Sequence, residues 1–138
     1  MTYPDKIAIV LREDLQSWQK LNVSCFLASS VAIQFPGTHG GPLVTASGTT
    51  HLPFMKHPVL VYKADSAAKI KRAYDRARER ELHIGIYTMP LFATKDEAAN
   101  LAEIASTKDE DLDLAGIILY GENKKVDKAL DGLKLHEG

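Results

Sequence analysis

Cysteine, a surplus of charge and long apolar runs are scarce or missing in this 138-residue chain. Its single cysteine, Cys25, excludes an internal disulfide framework. The 17 basic residues nearly cancel the 18 acidic ones, so no overall field attracts nucleic acid or an anionic membrane. No apolar run approaches the roughly 18 residues of a membrane span, and the N-terminus is too polar for a secretory signal. We therefore expect a cytoplasmic protein whose partners include neither nucleic acid nor a membrane.

The sequence also lacks the common motifs of catalytic and cofactor sites. Neither glycine-rich phosphate motif, G-x-G-x-x-G or G-x-x-x-x-G-K-[ST], is present. There is no G-x-S-x-G elbow for a nucleophilic serine, and none of the H-x₃-H or C-x₂-C spacings of zinc sites occurs. We therefore predict no metal and no cofactor.

Four short aliphatic runs predict the strands of a single domain. Runs that are apolar at nearly every position are typical of strands covered by helices on both faces. Between them, Ser66 suits the N-cap of a helix, and Thr94 followed by Glu97 has the spacing of a capping box. The alternation predicts a three-layer α/β/α domain over residues 1–138. The predicted strands are 7–11, 59–62, 84–87 and 115–120, and the predicted helices begin at about 18, 66, 94 and 124.

The first predicted helix, residues 18–33, is apolar on almost every side and has Lys20 near its start. Helices that are apolar all round are usually buried, so we expect burial on every side. Open α/β sheets bind ligands beyond the carboxyl ends of their strands, and this helix begins just after such an end. Lys20 could serve there as a base or nucleophile, or hold its charge against a developing oxyanion. The alternative is a first-turn lysine that extends to water.

Asn22 and Ser24 are the other polar side chains early in this helix. Asparagine is a poor helix former, so Asn22 needs either a hydrogen-bond partner in the protein or a ligand. Ser24 has no histidine or carboxylate at helical spacing, which argues against a hydrolase triad. Both residues are candidates for contacts with a substrate.

An insertion rich in glycine and proline, residues 35–57, interrupts the alternation of strands and helices. Within it, residues 43–46 and 49–52 flank Ser47-Gly48, which predicts a hairpin with a two-residue turn. So long a connection is usually a lid, a binding loop or a flap that contacts a partner, and the alternative is a surface loop with no role. His51 is a candidate general base because histidine titrates near neutrality; otherwise it is a hydrogen-bonded loop residue.

Three segments resemble type II peptidyl-tRNA hydrolases: residues 6–29, 58–65 and 126–135. That family has a lysine followed by I-A-A-Q-C-S-H-A in its first helix, and here the sequence K-L-N-V-S-C-F-L-A begins at Lys20. Ser24 replaces the family's glutamine, and Thr88 and Met89 lie in a turn that is acidic in the family. The resemblance implies the family's fold, with a mixed sheet of four strands. It keeps Lys20 as the one matched catalytic residue.

A second likeness is to a bacterial family of uncharacterised small proteins that shares this fold. It rests on W-Q-K-L-N at 18–22, L-F-A-T at 91–94 and V-D-K at 126–128. This likeness implies that Trp18, Lys20 and Asn22 belong to one site, and a homodimer is compatible with it. It implies no particular activity.

Together these patterns predict an enzyme or enzyme-like protein that acts on a small acyl, ester or amide compound by hydrolysis or acyl transfer. Lys20 stabilises an oxyanion or acts as a base, Asn22 orients the substrate, and His51 transfers a proton. The hairpin forms a lid, and the remaining pocket residues are Trp18, Ser24, Thr88 and Met89. Two alternatives stay open: a non-catalytic protein that binds a small molecule on the same fold, and a residual peptidyl-tRNA hydrolase.

Overall fold

A computed structural model describes residues 3–137, which form seven strands and four α-helices. The strands are β1 (Asp5–Arg12), β2 (Leu43–Val44), β3 (Thr50–His51), β4 (Val59–Ala64), β5 (His83–Thr88), β6 (Leu114–Glu122) and β7 (Lys134–Leu135). The helices are α1 (Ser17–Gln34), α2 (Ala67–Glu79), α3 (Glu97–Ala105) and α4 (Asn123–Ala129), and 3-10 turns lie at Pro36–Thr38, Met89–Ala93 and Asp109–Asp111. Among the helices of residues 3–137, none is long and apolar enough to cross a membrane.

Five of the strands form one mixed sheet in the order β5-β6-β1-β4-β7. Strand β1 runs parallel to β4 and antiparallel to β6, and the two edge strands, β5 and β7, are antiparallel to their neighbours. The predicted mixed sheet is confirmed, but the predicted number of four strands is wrong. The fifth strand pairs only Lys134 and Leu135 with Lys63 and Tyr62, and two residues are too few to produce a periodic signal in the sequence.

The strands are covered on both faces, which gives the three predicted layers. Successive side chains of a strand point to opposite faces. In β1, Ile7 and Ile9 therefore pack under α1, while Ala8 and Val10 join the core beneath α2 and α4.

Helix α1 is not buried on every side, so that prediction from its composition is wrong. Its fully buried residues are Val23, Leu27 and Val31, which repeat every four positions and face the sheet. A helix that packs alone on one face of a sheet buries only the row of side chains that faces the sheet. The remaining large apolar side chains stay exposed, at fractions of 58% for Trp18, 70% for Leu21, 54% for Phe26 and 79% for Ile33.

Two of the predicted helix starts have different outcomes. The Ser66 side chain accepts a hydrogen bond from the Lys69 amide, so its predicted role as N-cap of α2 is confirmed. The predicted capping box of Thr94 and Glu97 is wrong, because α3 begins at Glu97 with Asp96 as its N-cap. Thr94 instead donates to the Leu91 carbonyl in the preceding 3-10 turn.

The insertion forms the predicted hairpin, but with shorter strands and a wider turn. Leu43 pairs with His51 and Val44 with Thr50, and Gly48 adopts a φ of 85° inside the turn. Both ends of the insertion pack on the end of the sheet where β1 begins, since Phe35 and His57 each contact Tyr120. The loop therefore leaves the molecule at the end opposite to the start of α1.

Candidate functional site

A groove of about 390 Å³ lies between the first half of α1, the end of β5, the 3-10 turn Met89–Ala93 and α3. Residues on α1 enter it at a spacing of four, which places them in one row along the helix. The groove is lined by Trp18, Asn22, Phe26, Ile86, Tyr87, Leu91, Phe92, Thr94 and Asn100.

Four aromatic rings form a continuous wall of this groove. The ring of Trp18 meets that of Phe92 edge-on, with 6.0 Å between centroids. Phe92 in turn lies 5.1 Å from Tyr87, and Tyr87 lies 5.8 Å from Phe26. Edge and tilted contacts at these distances are favourable, so the rings support one another and present a continuous apolar surface.

The indole of Trp18 is held from the turn before α1. Its Nε1 atom donates to Gln16 Oε1 at 2.7 Å, and the backbone N–H of Gln16 donates to Gln19 Oε1 at 2.9 Å. These bonds satisfy the indole N–H and fix the ring at the mouth of the groove.

The polar groups of the groove are amides and hydroxyls without charge. The Thr94 hydroxyl lies within hydrogen-bond distance of two acceptors, the Leu91 carbonyl oxygen at 2.8 Å and Asn100 Oδ1. Its single hydrogen can be donated to either oxygen. Burial raises the pKa of Tyr87, so its phenol stays neutral at physiological pH. The Asn22 side chain is exposed and lies between Trp18 and Phe26 in the row of residues on α1.

Lys20 points away from this groove. It lies two residues after Trp18, which is about 200° around a helix. Its Nζ atom is 3.0 Å from His136 Nε2, and His136 Nδ1 is 2.7 Å from the Glu137 carbonyl oxygen. Since a carbonyl oxygen only accepts, Nδ1 carries the hydrogen and Nε2 accepts from the Lys20 amine.

Charged groups surround Lys20 at the carboxyl ends of β1 and β4. Arg12 pairs with Asp14 at 2.8 Å and with Asp113 at 3.0 Å. Its hydrogen bond lowers the pKa of Asp14, with a smaller contribution from the charge of Lys20. Lys63 pairs with Glu13 at 3.6 Å and also with Glu137, beside a separate depression of about 250 Å³.

Three further predicted site residues lie near these two places without lining the groove. Ser24 donates to the Lys20 carbonyl at 2.8 Å, a bond within the helix that satisfies its hydroxyl. Thr88 is buried, and its hydroxyl oxygen has no hydrogen-bond partner within residues 3–137. The Met89 amide donates to the Asp113 carbonyl at 2.8 Å and so fixes the turn that carries Leu91 and Phe92.

His51 is exposed on β3, in the hairpin that leaves from the far end of α1. A helix of 18 residues is about 27 Å long, so the base of the hairpin is remote from Lys20. Within the described part of the chain, no residue of the insertion lines the groove. The structure therefore brings Trp18 and Asn22 together and places Lys20 and His51 elsewhere.

Several groove residues were not singled out by sequence reasoning. The spacing of Trp18, Asn22 and Phe26 indicates one helix face and was available as a signal. Tyr87 lies inside a predicted strand, so its sequence position does not mark it as a site residue. Asn100 lies on a short helix, and no periodic pattern in the sequence indicates that this helix packs against the 3-10 turn. Within residues 3–137, no group of three His, Cys, Asp or Glu side chains could hold a metal ion.

Comparisons with known proteins identify relatives of unknown function. The family described as "Protein of unknown function (DUF2000)" matches residues 5–137. A solved structure of the protein of unknown function Atu0240 from Agrobacterium tumefaciens strain C58 is 32% identical, with a TM-score of 0.94. That similarity covers 99% of this chain and 100% of the other. No curated protein matches the sequence. The likeness to type II peptidyl-tRNA hydrolases stays a prediction.

Proposed function

We propose that this chain, which belongs to the DUF2000 family of proteins of unknown function, binds a small, neutral, planar compound that carries an amide or carbonyl group. The proposal is based on the groove. The observation that supports this proposal is that the aromatic side chains Trp18, Phe92, Tyr87 and Phe26 line one groove together with amide and hydroxyl groups. Binding sites for small molecules are typically apolar clefts of about 300–1,000 Å³ with a few polar groups.

The choice of a neutral ligand follows from the lining. No Asp, Glu, Lys, Arg or His side chain is among the lining residues, so a charged ligand would lose hydration without gaining a counter-charge. Asn22 and Asn100 each offer both a donor and an acceptor, which matches an amide or a carbonyl beside an N–H. A flat ring would stack on the aromatic wall.

The tryptophan provides a direct test, because Trp18 is the single tryptophan of the chain and lies in the groove. We expect benzamide or acetanilide to change its fluorescence saturably, and benzoate, which is charged, to do so at least ~10-fold more weakly. Phe92→Ala and Asn22→Ala should each weaken binding about 10-fold, while Gln34→Ala at the far end of α1 should leave it unchanged. Equal responses to benzamide and benzoate, or full binding by Phe92→Ala, would contradict the proposal.

A second candidate function is the predicted enzyme that acts on a small ester or amide through Lys20. It is favoured by the contact between Lys20 and His136, which orients the amine at the carboxyl end of β1. With one hydrogen directed to His136, the remaining amine hydrogens are free to stabilise an oxyanion.

This candidate predicts slow hydrolysis of p-nitrophenyl acetate that is lost in Lys20→Ala while the fold is retained. His136→Ala should reduce the rate by about 10-fold, because the amine loses its orientation. Unchanged turnover in Lys20→Ala would exclude it. Cleavage of an N-acetylaminoacyl-tRNA with a steep salt dependence would instead favour residual peptidyl-tRNA hydrolysis.

A further inference from the structure

A long uncharged stretch of the chain is largely exposed. Residues 21–55 contain no Asp, Glu, Lys or Arg, although such residues make up 25% of the whole sequence. Most positions from 40 to 54 are exposed, as is the outward face of α1. Depletion of charged residues marks the central part of protein interfaces and is unusual for a solvated surface.

The outward face of α1 is one half of this surface. Its exposed residues include Leu21 and Ile33, with exposed fractions of 70% and 79%, at the two ends of the patch. Cys25 and Ser29 lie between them and are also exposed. This face of α1 therefore carries small side chains in its middle and large apolar side chains at its ends.

The hairpin, which we call the arm (residues 40–54), is the other half. It consists of two strands of two residues each, and its large side chains Val44, Leu52 and Phe54 are exposed by 60%, 85% and 72%. A two-stranded hairpin that packs on nothing is marginally stable in water. An ordered arm with apolar side chains therefore needs a surface to lie against.

The two halves are adjacent. At the base of the arm, the Gly40 amide donates to the Phe54 carbonyl at 2.7 Å, and His39 pairs with Met55. The His39 ring nitrogen lies 2.5 Å from the Ala32 carbonyl on the last turns of α1. The arm thus begins beside α1 and extends the uncharged surface beyond the end of the helix.

We propose that a second copy of this chain covers this surface, with the arm of each copy lying on the outward face of α1 in the other. A two-fold dimer brings the same patch of both copies together, so one surface must supply both the face that is covered and the segment that covers it. This chain supplies both, and neither half carries a charge that would select a different partner. The inference is independent of the proposed ligand.

The exposed area is sufficient for such a dimer. With ~200 Å² for an aromatic side chain and somewhat less for an aliphatic one, the exposed parts of the large apolar side chains on α1 and the arm, without the groove residues Trp18 and Phe26, amount to roughly 700 Å². The exposed polar side chains of the arm add to this area. A stable interface buries about 800 Å² on each partner. Segments that bind a membrane surface carry Lys or Arg among their apolar residues, whereas here Lys20 and Lys56 lie outside the stretch.

Sedimentation equilibrium of the full chain between 1 and 100 μM, roughly the range for Kd values near 10 μM, tests the dimer. We expect a mass twice the 15.2 kDa of one chain. Leu21→Glu with Ile33→Glu, and separately Leu52→Glu, should each raise the dissociation constant at least ~100-fold, because each buries unpaired charge. Leu101→Glu is the matched control: Leu101 is exposed by 64% on α3, and its substitution should leave the mass unchanged.

The arm variant keeps the test decisive if the helix variant fails to fold, since Leu52 contacts little in its own chain. A monomer at every concentration would overturn the proposal. A dimer that persists in both variants would overturn it too, because the copies would then meet elsewhere. Flotation of a monomeric wild type with vesicles of three parts phosphatidylcholine and one part phosphatidylglycerol would assign the surface to a membrane and equally overturn it.

Discussion

At the scale of single residues, Tyr87 is a lining residue of the groove that can ionise and yet stays neutral. Burial raises the pKa of Tyr87, because the phenolate would lose hydration among the aromatic rings. Tyr120, at the opposite end of the sheet, has its pKa raised first by burial and then by the nearby charge and hydrogen bond of Asp5. Both tyrosines remain hydrogen-bond donors at any pH at which the protein works.

An alkaline titration followed at 295 nm should therefore contain late components from Tyr87 and Tyr120. Tyr87→Phe and Tyr120→Phe should each remove one late component, because a raised pKa delays loss of the phenolic proton. Binding of benzamide should weaken as Tyr87 ionises above about pH 10, since the phenolate places an unpaired charge in the groove. If Tyr87→Phe retained both late components, the Tyr87 side chain would be solvated rather than buried.

Residue identity was easier to predict than the grouping of residues. Trp18 and Asn22, which the sequence predicts to belong to one site, both line the groove. Lys20 was assigned to the same site, yet positions two apart on a helix face away from each other, so its partner is His136. That partner is 116 residues away in the sequence, and no local pattern indicates it.

At the scale of elements, α1 rests unusually close to β5 and β6. A Cβ atom on Gly116 would lie 2.7 Å from Val23 Cγ1 and 3.2 Å from Leu27 Cδ1. One on Gly85 would lie 2.6 Å from Ser30 Oγ. These two glycines let α1 approach the sheet closely.

Gly116→Ala should therefore destabilise the protein by about 1–3 kcal/mol, since the added methyl group overpacks a core that has no free space. Gly37→Ala is the control, because nothing lies within 4 Å of a Cβ atom there and its φ is not positive. Its effect should stay within about 0.5 kcal/mol. Urea unfolding of both variants measures the difference, and equal midpoints would refute the close contact between α1 and β6.

At the scale of the whole molecule, the three layers could be predicted from the sequence, and the edge strand β7 could not. Strands β1, β4, β5 and β6 were recognisable as aliphatic runs because helices cover both of their faces. Strand β7 has two exposed residues, and it exists only where β4 offers a free edge. In the same final segment, His136 contacts Lys20 and Glu137 pairs with Lys63. The segment therefore packs against the charged residues at one end of the sheet.

Removal of residues 134–138 tests how much this closing segment stabilises the fold. It deletes the pairing of β7 with Tyr62 and Lys63 and the bond from the His136 amide to the Val61 carbonyl at 2.8 Å. With two to three backbone hydrogen bonds at ~1 kcal/mol each, we expect a loss of about 2–3 kcal/mol and a fall in Tm of roughly 5–10 °C. Differential scanning calorimetry measures both quantities.

The single variant Glu137→Gln separates the backbone from the ion pair with Lys63. Glu137 is solvent-exposed, and surface ion pairs contribute little, so this variant should shift Tm by no more than about 2 °C. His136→Ala leaves the strand intact and removes the contact to Lys20, so its effect on Tm should fall between the two. If the truncated chain has the same Tm as the full-length protein, β7 does not stabilise the sheet in solution, and Lys20 then has no fixed partner.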